Sequence, residues 1–160
     1  MTASMIGQHL LSSRRAQLSD LPRLLELIAD DVLGKNREGE GSTDPCYRQA
    51  FAEIDQDKNQ FLMVAEMEGK LIAMLQITFI PGLSRKSAWR ALIESVRVDS
   101  RLRGQGIGGW LIEEAIKLAR ERACRLVQLT SDKKRVEAHR FYGRLGFTAS
   151  HQGFKLQLEK

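Results

Sequence analysis

One stretch limits what this chain can fold into: Ile93-Glu94-Ser95-Val96-Arg97-Val98, then Asp99-Ser100-Arg101-Leu102-Arg103-Gly104-Gln105-Gly106-Ile107-Gly108-Gly109, then an amphipathic run to about Ala123. The pattern predicts a strand, a turn with three close glycines, and a helix that begins inside them. A chain arranged this way makes an anion site. Without Cβ atoms, the backbone at Gly104, Gly106 and Gly108 can press against a ligand, and the first helical N–H groups lack an intrahelical partner. The helix dipole adds roughly half a positive charge at that end, which suits a phosphate or diphosphate.

The residues around the turn narrow the guest. A Walker-type loop needs Gly-Lys-Ser/Thr after the glycines; Gly108-Gly109-Trp110 stands there instead, which argues against nucleoside triphosphate hydrolysis. Gly104, Gly106 and Gly109 do fit the dinucleotide fingerprint G-x-G-x-x-G, with Asp132 after a later strand. Length opposes that fit. Only 28 residues follow Asp132, too few to finish a doubly wound sheet, and the segments before the turn look like hairpin strands.

Arg101-Leu102-Arg103-Gly104-Gln105-Gly106 resembles the R/Q-x-x-G-x-G/A loop with which GNAT-superfamily N-acetyltransferases hold the diphosphate of acyl-CoA, and Val96 to Val98 matches the strand end before it. Further on, Ala138-His139-Arg140-Phe141-Tyr142-Gly143-Arg144-Leu145-Gly146-Phe147 resembles that family's A-x-x-F-Y-x-x-x-G-F segment. The likeness extends by element order from about Arg14 to the C-terminus. Within the superfamily, Leu129 to Arg135 leading into Ala138 to Tyr142, with Ser150-His151, is similar to aminoalkylphosphonate N-acetyltransferases.

The resemblance implies an α+β fold, a mixed and mostly antiparallel central sheet flanked by about four helices, with acetyl-CoA as co-substrate and no metal. It also assigns positions. The Val96, Arg97 and Val98 backbone would bind the pantetheine arm as an added strand. Arg103, Gly104, Gln105, Gly106, Ile107 and Gly108 would receive the diphosphate, with Phe141 also on the cofactor. Tyr142 stands where the family places the general acid for the departing thiolate, and a phenol near pKa 10 keeps its proton at neutral pH. Many members carry an asparagine three positions before the alanine of the last-helix motif; here that position is Arg135, a candidate for a phosphate contact instead.

The expected acceptor is a primary amine of a small molecule attacking the thioester directly. A lysine-like amine has pKa about 10.4, so its neutral form costs roughly 4.6 kcal/mol at pH 7 and the site must take up a proton. Glu94, on the strand before the turn, is the candidate base, acting through water; its alternative role is a strand carboxylate paired with an arginine. Arg85, Lys86 and Arg90 could meet an acidic group on the acceptor, while Glu38, Glu40 and Asp44, near Asp30 and Asp31, could draw a cation. Two rival functions use the same glycines: a non-catalytic acyl-CoA sensor and a nicotinamide enzyme.

At 160 residues the chain suits one domain, taken as residues 12–160 after a loose extension at 1–11. No apolar run approaches the roughly 20 residues of a spanning helix, and the start lacks the basic region of a signal peptide. Cys46 and Cys124 have no ligand-like neighbours, which fits a reducing, cytoplasmic setting. The net charge of +5 raises nucleic-acid binding, but the few aromatics are not interleaved with the basic runs, so no stacking platform is expected. A chain this small is compatible with a homodimer. Periodicity predicts a strand at Arg14–Gln17, helices from Ser19 to Gly34 and Pro45 to Ile54, a hairpin of Phe61–Ala65 and Leu71–Ile80, a strand at Trp89–Val98, a strand at Arg125–Thr130 returning parallel to it, a helix at Arg135–Leu145, and a last strand at Phe147–Leu158.

Overall fold

The computed structural model describes residues 2–7, 9–30 and 45–158. In chain order the elements are β1 (Thr2–Ile6), β2 (His9–Arg15), a 3-10 turn (Leu18–Asp20), α1 (Leu21–Ala29), α2 (Pro45–Gln56), β3 (Gln60–Met67), β4 (Lys70–Ile80), the single turn α3 (Ser84–Ser87), β5 (Trp89–Val98), a second 3-10 turn (Ser100–Leu102), α4 (Ile107–Glu121), β6 (Cys124–Leu129) and α5 (Val136–Arg144). They fall into two compact units, Met1–Gln128 and Leu129–Lys160.

Local chemistry sets many of these boundaries. Met67 pairs with Lys70 across a two-residue turn, and both turn residues, Glu68 (φ 52°) and Gly69 (φ 74°), take the positive φ that such a hairpin requires. Asp20 stands at the N-cap position of α1, its carboxylate taken up by Arg14 and the Gln17 N–H, and Pro22 follows in the first turn. Strands β1 to β5 pair antiparallel in chain order. β6 takes the sixth place beside β5 and is reached through α4, a crossover instead of a hairpin, so the sheet is mixed.

Each face of the sheet in the first unit buries a different set of side chains. On one side Leu62, Val64 and Met74 pack with Ala16, Leu24, Leu27 and Phe51 under α1 and α2. Alternation sends Met63, Ala65, Leu75, Ile77, Phe79, Ala91 and Ile93 to the other side, where α4 lies on β4 and β5 with Ile107, Trp110, Leu111 and Ala115 buried.

Two expectations need correction. Residues 2–6 are a strand paired with β2 throughout, from Thr2 opposite Ser13 to Ile6 opposite His9, where a loose extension to residue 11 and a strand at 14–17 were expected. Met5 and Leu10 are 62% and 56% exposed, so this hairpin rests on backbone pairing more than burial and leaves little hydrophobic pattern to see. The strand expected at Phe147–Leu158 is absent: 147–158 carries no regular structure, and Phe154, Leu156 and Leu158 are 91%, 86% and 84% exposed. Alternation marks strand-compatible sequence, but a strand also needs a partner backbone. The expected loop acids Glu38, Glu40 and Asp44, with Asp31 and the helix stop at Gly34, lie outside the described residues.

Candidate active site

The site begins with an irregularity in β5. Met74 on β4 pairs with Arg97 and Gln76 pairs with Glu94, so β5 uses three residues where β4 uses two. The extra residue is a β-bulge, and Ser95 takes φ 53° within it. Glu94 and Arg97 therefore both project to the face covered by α1 and α2. Glu94 is exposed, and among the described residues no arginine or lysine pairs with its carboxylate. Past the bulge, Arg97 Nη1 donates to Val96 O at 2.9 Å and Arg103 Nε to Val98 O at 3.3 Å. Two guanidinium groups thus lie along the strand segment expected to meet the pantetheine arm.

The turn after β5 is tied down by Asp99. Its buried carboxylate accepts from the Arg101 N–H at 3.0 Å, from Arg101 Nε and Nη2 at 3.0 and 2.7 Å, and from Arg23 Nη2 on α1 at 2.5 Å. The hydrogen bonds from Arg101 come first among the causes that hold this carboxyl well below the usual range, followed by burial acting in the opposite direction. Asp99 N–H donates to Ile72 O at 2.8 Å, and Ser100 N–H donates to Asp30 at 3.1 Å. Neither Arg23 nor Asp99 was singled out from the sequence. The available signal was an aspartate directly after a strand, the residue type that starts turns by accepting a nearby N–H.

Residues 103–106 are exposed, and Gly104 and Gly106 have φ of 78° and 84°. A Cβ at Gly104 would meet nothing within 4 Å, so the backbone there can be approached closely. Gly106 caps α4, and Trp110 N–H closes the first turn on Gly106 O at 3.1 Å. The N–H groups of Ile107, Gly108 and Gly109 therefore have no carbonyl within the helix to bond. Ile107 itself is buried, so its side chain anchors the helix while its N–H faces the turn. The glycine cradle, the helix start and the exposed Arg101 and Arg103 fit a diphosphate carrier.

The second unit holds the other predicted residues. Tyr142, on α5, meets Phe141 edge-on with ring centroids 5.0 Å apart and Phe147 at 5.9 Å. Gly146 ends this helix at φ 89°. Arg135 caps its start, and its N–H donates to Asp132 O at 3.0 Å. His139 Nε2 donates to the same carbonyl at 2.9 Å, which fits a surface role, and His151 pairs with Ser150 Oγ at 2.8 Å. In the first unit, Arg85 and Lys86 sit in α3 with positive φ, and Arg90 Nη1 lies beside Gly82.

A family model and a curated relative both carry an acetyltransferase description, and the solved structures share the fold. A model of the acetyltransferase (GNAT) family matches residues 23–147. The chain is 32% identical over 109 residues to the aminoalkylphosphonate N-acetyltransferase of Salmonella typhimurium, covering 68% of this chain and 70% of that protein. A crystal structure described as a transcriptional regulator from Bacillus halodurans C-125 superposes with a TM-score of 0.89 and 47% identity, over 92% of this chain and 99% of that one. The glucosamine-6-phosphate N-acetyltransferase of Arabidopsis thaliana gives 0.77 and 25%, over 93% and 99%.

Proposed function

The chain belongs to the GNAT family and is an acetyl-CoA-dependent acyltransferase, and from that premise we propose that it moves the acetyl group directly to the primary amine of a small molecule. The observation that carries this reading is the arrangement on and after β5: a bulge presents Glu94, which pairs with no cation among the described residues, and five residues beyond Glu94 begins an Asp99-anchored turn that ends in exposed glycine backbone and a helix start. Bound acetyl-CoA supplies an activated carbonyl. The protein's share is positioning and proton traffic. The N–H groups from Gly104 to Gly108, with Arg103, hold the diphosphate, and the Val96 to Val98 segment aligns the pantetheine arm. Phe141 packs on the cofactor. Glu94 accepts the ammonium proton through water, and the Tyr142 hydroxyl supplies a proton to the thiolate.

Two relatives act, by name, on an aminoalkylphosphonate and on glucosamine 6-phosphate. Both are primary amines carrying an anionic phosphorus group, and this likeness supports testing that class first. Cys46 and Cys124 carry thiols, in keeping with a cytoplasmic setting, and among the described residues no helix is long and apolar enough to cross a membrane. The test is acetyl-CoA consumption with 2-aminoethylphosphonate, glucosamine 6-phosphate, spermidine and glycine. Acetylation of at least one amine, with loss of turnover in Glu94→Gln, is expected. Acetyl-CoA binding without transfer to any amine overturns the primary-amine reading.

A further inference from the structure

Next to Glu94 lies a polar group on β3 and β4. Gln60 pairs with Thr78 and Gln76 pairs with Glu94, so all four side chains share the face covered by α1 and α2. Gln76 Nε2 donates to Gln60 Oε1 at 2.9 Å, and Thr78 Oγ1 donates to the same oxygen at 3.0 Å. Both lone pairs of Gln60 Oε1 are thereby used. That fixes the orientation of the Gln76 amide. β4 runs between β3 and β5, and the amide nitrogen is committed to the β3 side. The amide oxygen is then left towards β5, where Glu94 is the directly opposite residue, with Cβ atoms of such pairs about 5 Å apart. Among the described residues no donor bonds to Gln76 Oε1, and Gln76 is only half-buried.

We propose that Gln76 is a specificity-determining contact: its Oε1, held in place by Gln60 and Thr78, accepts an N–H of the acceptor's nitrogen beside Glu94. The inference rests on the acetyl-transfer reading above and names what selects the amine. An alkylammonium has three N–H donors. The water that donates to Glu94 accepts the N–H whose proton must leave, Gln76 accepts a second, and the nitrogen therefore meets oxygen acceptors on both sides. A nitrogen with several donors satisfies both, whereas a hydroxyl or thiol has one hydrogen and leaves an acceptor unmatched. The site thereby favours a primary amine over an alcohol of the same shape.

The proposal is tested with Gln76→Leu and Gln60→Leu, using 2-aminoethylphosphonate and spermidine as probes, with acetyl-CoA affinity and Tm as controls. Gln76→Leu is expected to raise the amine KM about tenfold or more with acetyl-CoA affinity unchanged, the effect of losing one hydrogen bond to a charged group. Gln60→Leu should give a smaller rise, since Gln76 remains but is free to rotate. An unchanged amine KM in Gln76→Leu, with Glu94→Gln still impaired, overturns the proposal and leaves acetyl transfer intact. A second measurement stands apart from turnover and from the folding of variants: titration of wild-type protein with either amine, followed by the side-chain NH2 resonances of Gln76 and Gln60. Displacement of these resonances is expected, and their constancy at saturating amine overturns the contact even if no amine is acetylated.

Discussion

Asp99 and Glu94 lie five positions apart on one stretch of chain and live in opposite environments. Asp99 has a side chain only 5% exposed and accepts four hydrogen bonds from Arg23 and Arg101. Glu94 is exposed and pairs with no cation among the described residues. A carboxylate whose lone pairs are filled by the protein can hold a loop but cannot take a proton at neutral pH. One left unsatisfied has capacity for a substrate. A second saturated cluster lies elsewhere: Arg14 bonds Asp20 at 2.7 and 2.9 Å and Glu66 at 2.6 and 2.9 Å, and this clamp joins β2 to β3 and to the start of α1. On this view the scaffold and the chemistry are separated by hydrogen-bond saturation, and substitutions should divide them.

The largest effect is expected at Asp99. Asp99→Ala removes four charge-assisted bonds from a buried position and should lower stability by about 2–4 kcal/mol, read from urea unfolding. A variant that unfolds at the parent's midpoint would show that Asp99 is not the anchor. Glu94→Gln should do the reverse: unfolding unchanged, kcat/KM down about a hundredfold. Tyr142→Phe should also cut kcat about a hundredfold while acetyl-CoA affinity holds, and an unaltered kcat would leave Tyr142 as a packing partner of Phe141 and Phe147.

Gly106→Ala sits between the two classes. At φ 84° an alanine is strained by about 1–2 kcal/mol, although its Cβ would meet only Ile6 Cγ2, at an ordinary 4.0 Å. The stability loss should come with an acetyl-CoA affinity reduced about tenfold, because the methyl group stands on the exposed turn. Loss of stability with full affinity would remove the glycine turn from the binding site.

Legibility in the sequence followed the range of each cause. The β5 limits at Trp89 and Val98 and the α4 start inside the glycines were readable because alternation and glycine conformation act within a few residues. The bulge at Ser95 was not, since register belongs to a pair of strands and not to either one. Arg23 and Asp99 are 76 positions apart, and only the fold joins an α1 guanidinium to the end of β5. Gln60 fell outside the strand expected at Phe61–Ala65, and the convergence of Gln76 and Thr78 on its side-chain oxygen depends on the β3–β4 register. The alternation at Phe154–Leu158 marks the limit of such patterns, for it describes what a segment can do and not whether a partner is there.

The smallest expected effect is on acid stability, and it follows from the direction in which the Asp99 carboxyl is shifted. Its carboxyl lies below the usual range in the folded chain, with the Arg101 hydrogen bonds the largest cause, and returns to about 3.9 on unfolding. Its contribution is therefore fully present above about pH 4 and is lost as pH falls through the folded-state value. Asp20, lowered chiefly by its hydrogen bonds from Arg14, acts in the same direction and over the same acid range. Asp99→Asn should thus be less stable than the parent at pH 7 and lose less stability than the parent between pH 4 and pH 2, with a residual slope to which Asp20 and Asp30, both also lowered, contribute. Unfolding free energies at pH 7, 4, 3 and 2 check this, and parallel curves for the two proteins would mean that the Asp99 carboxylate gains nothing from Arg23 and Arg101, which would collapse the distinction between the two carboxylates.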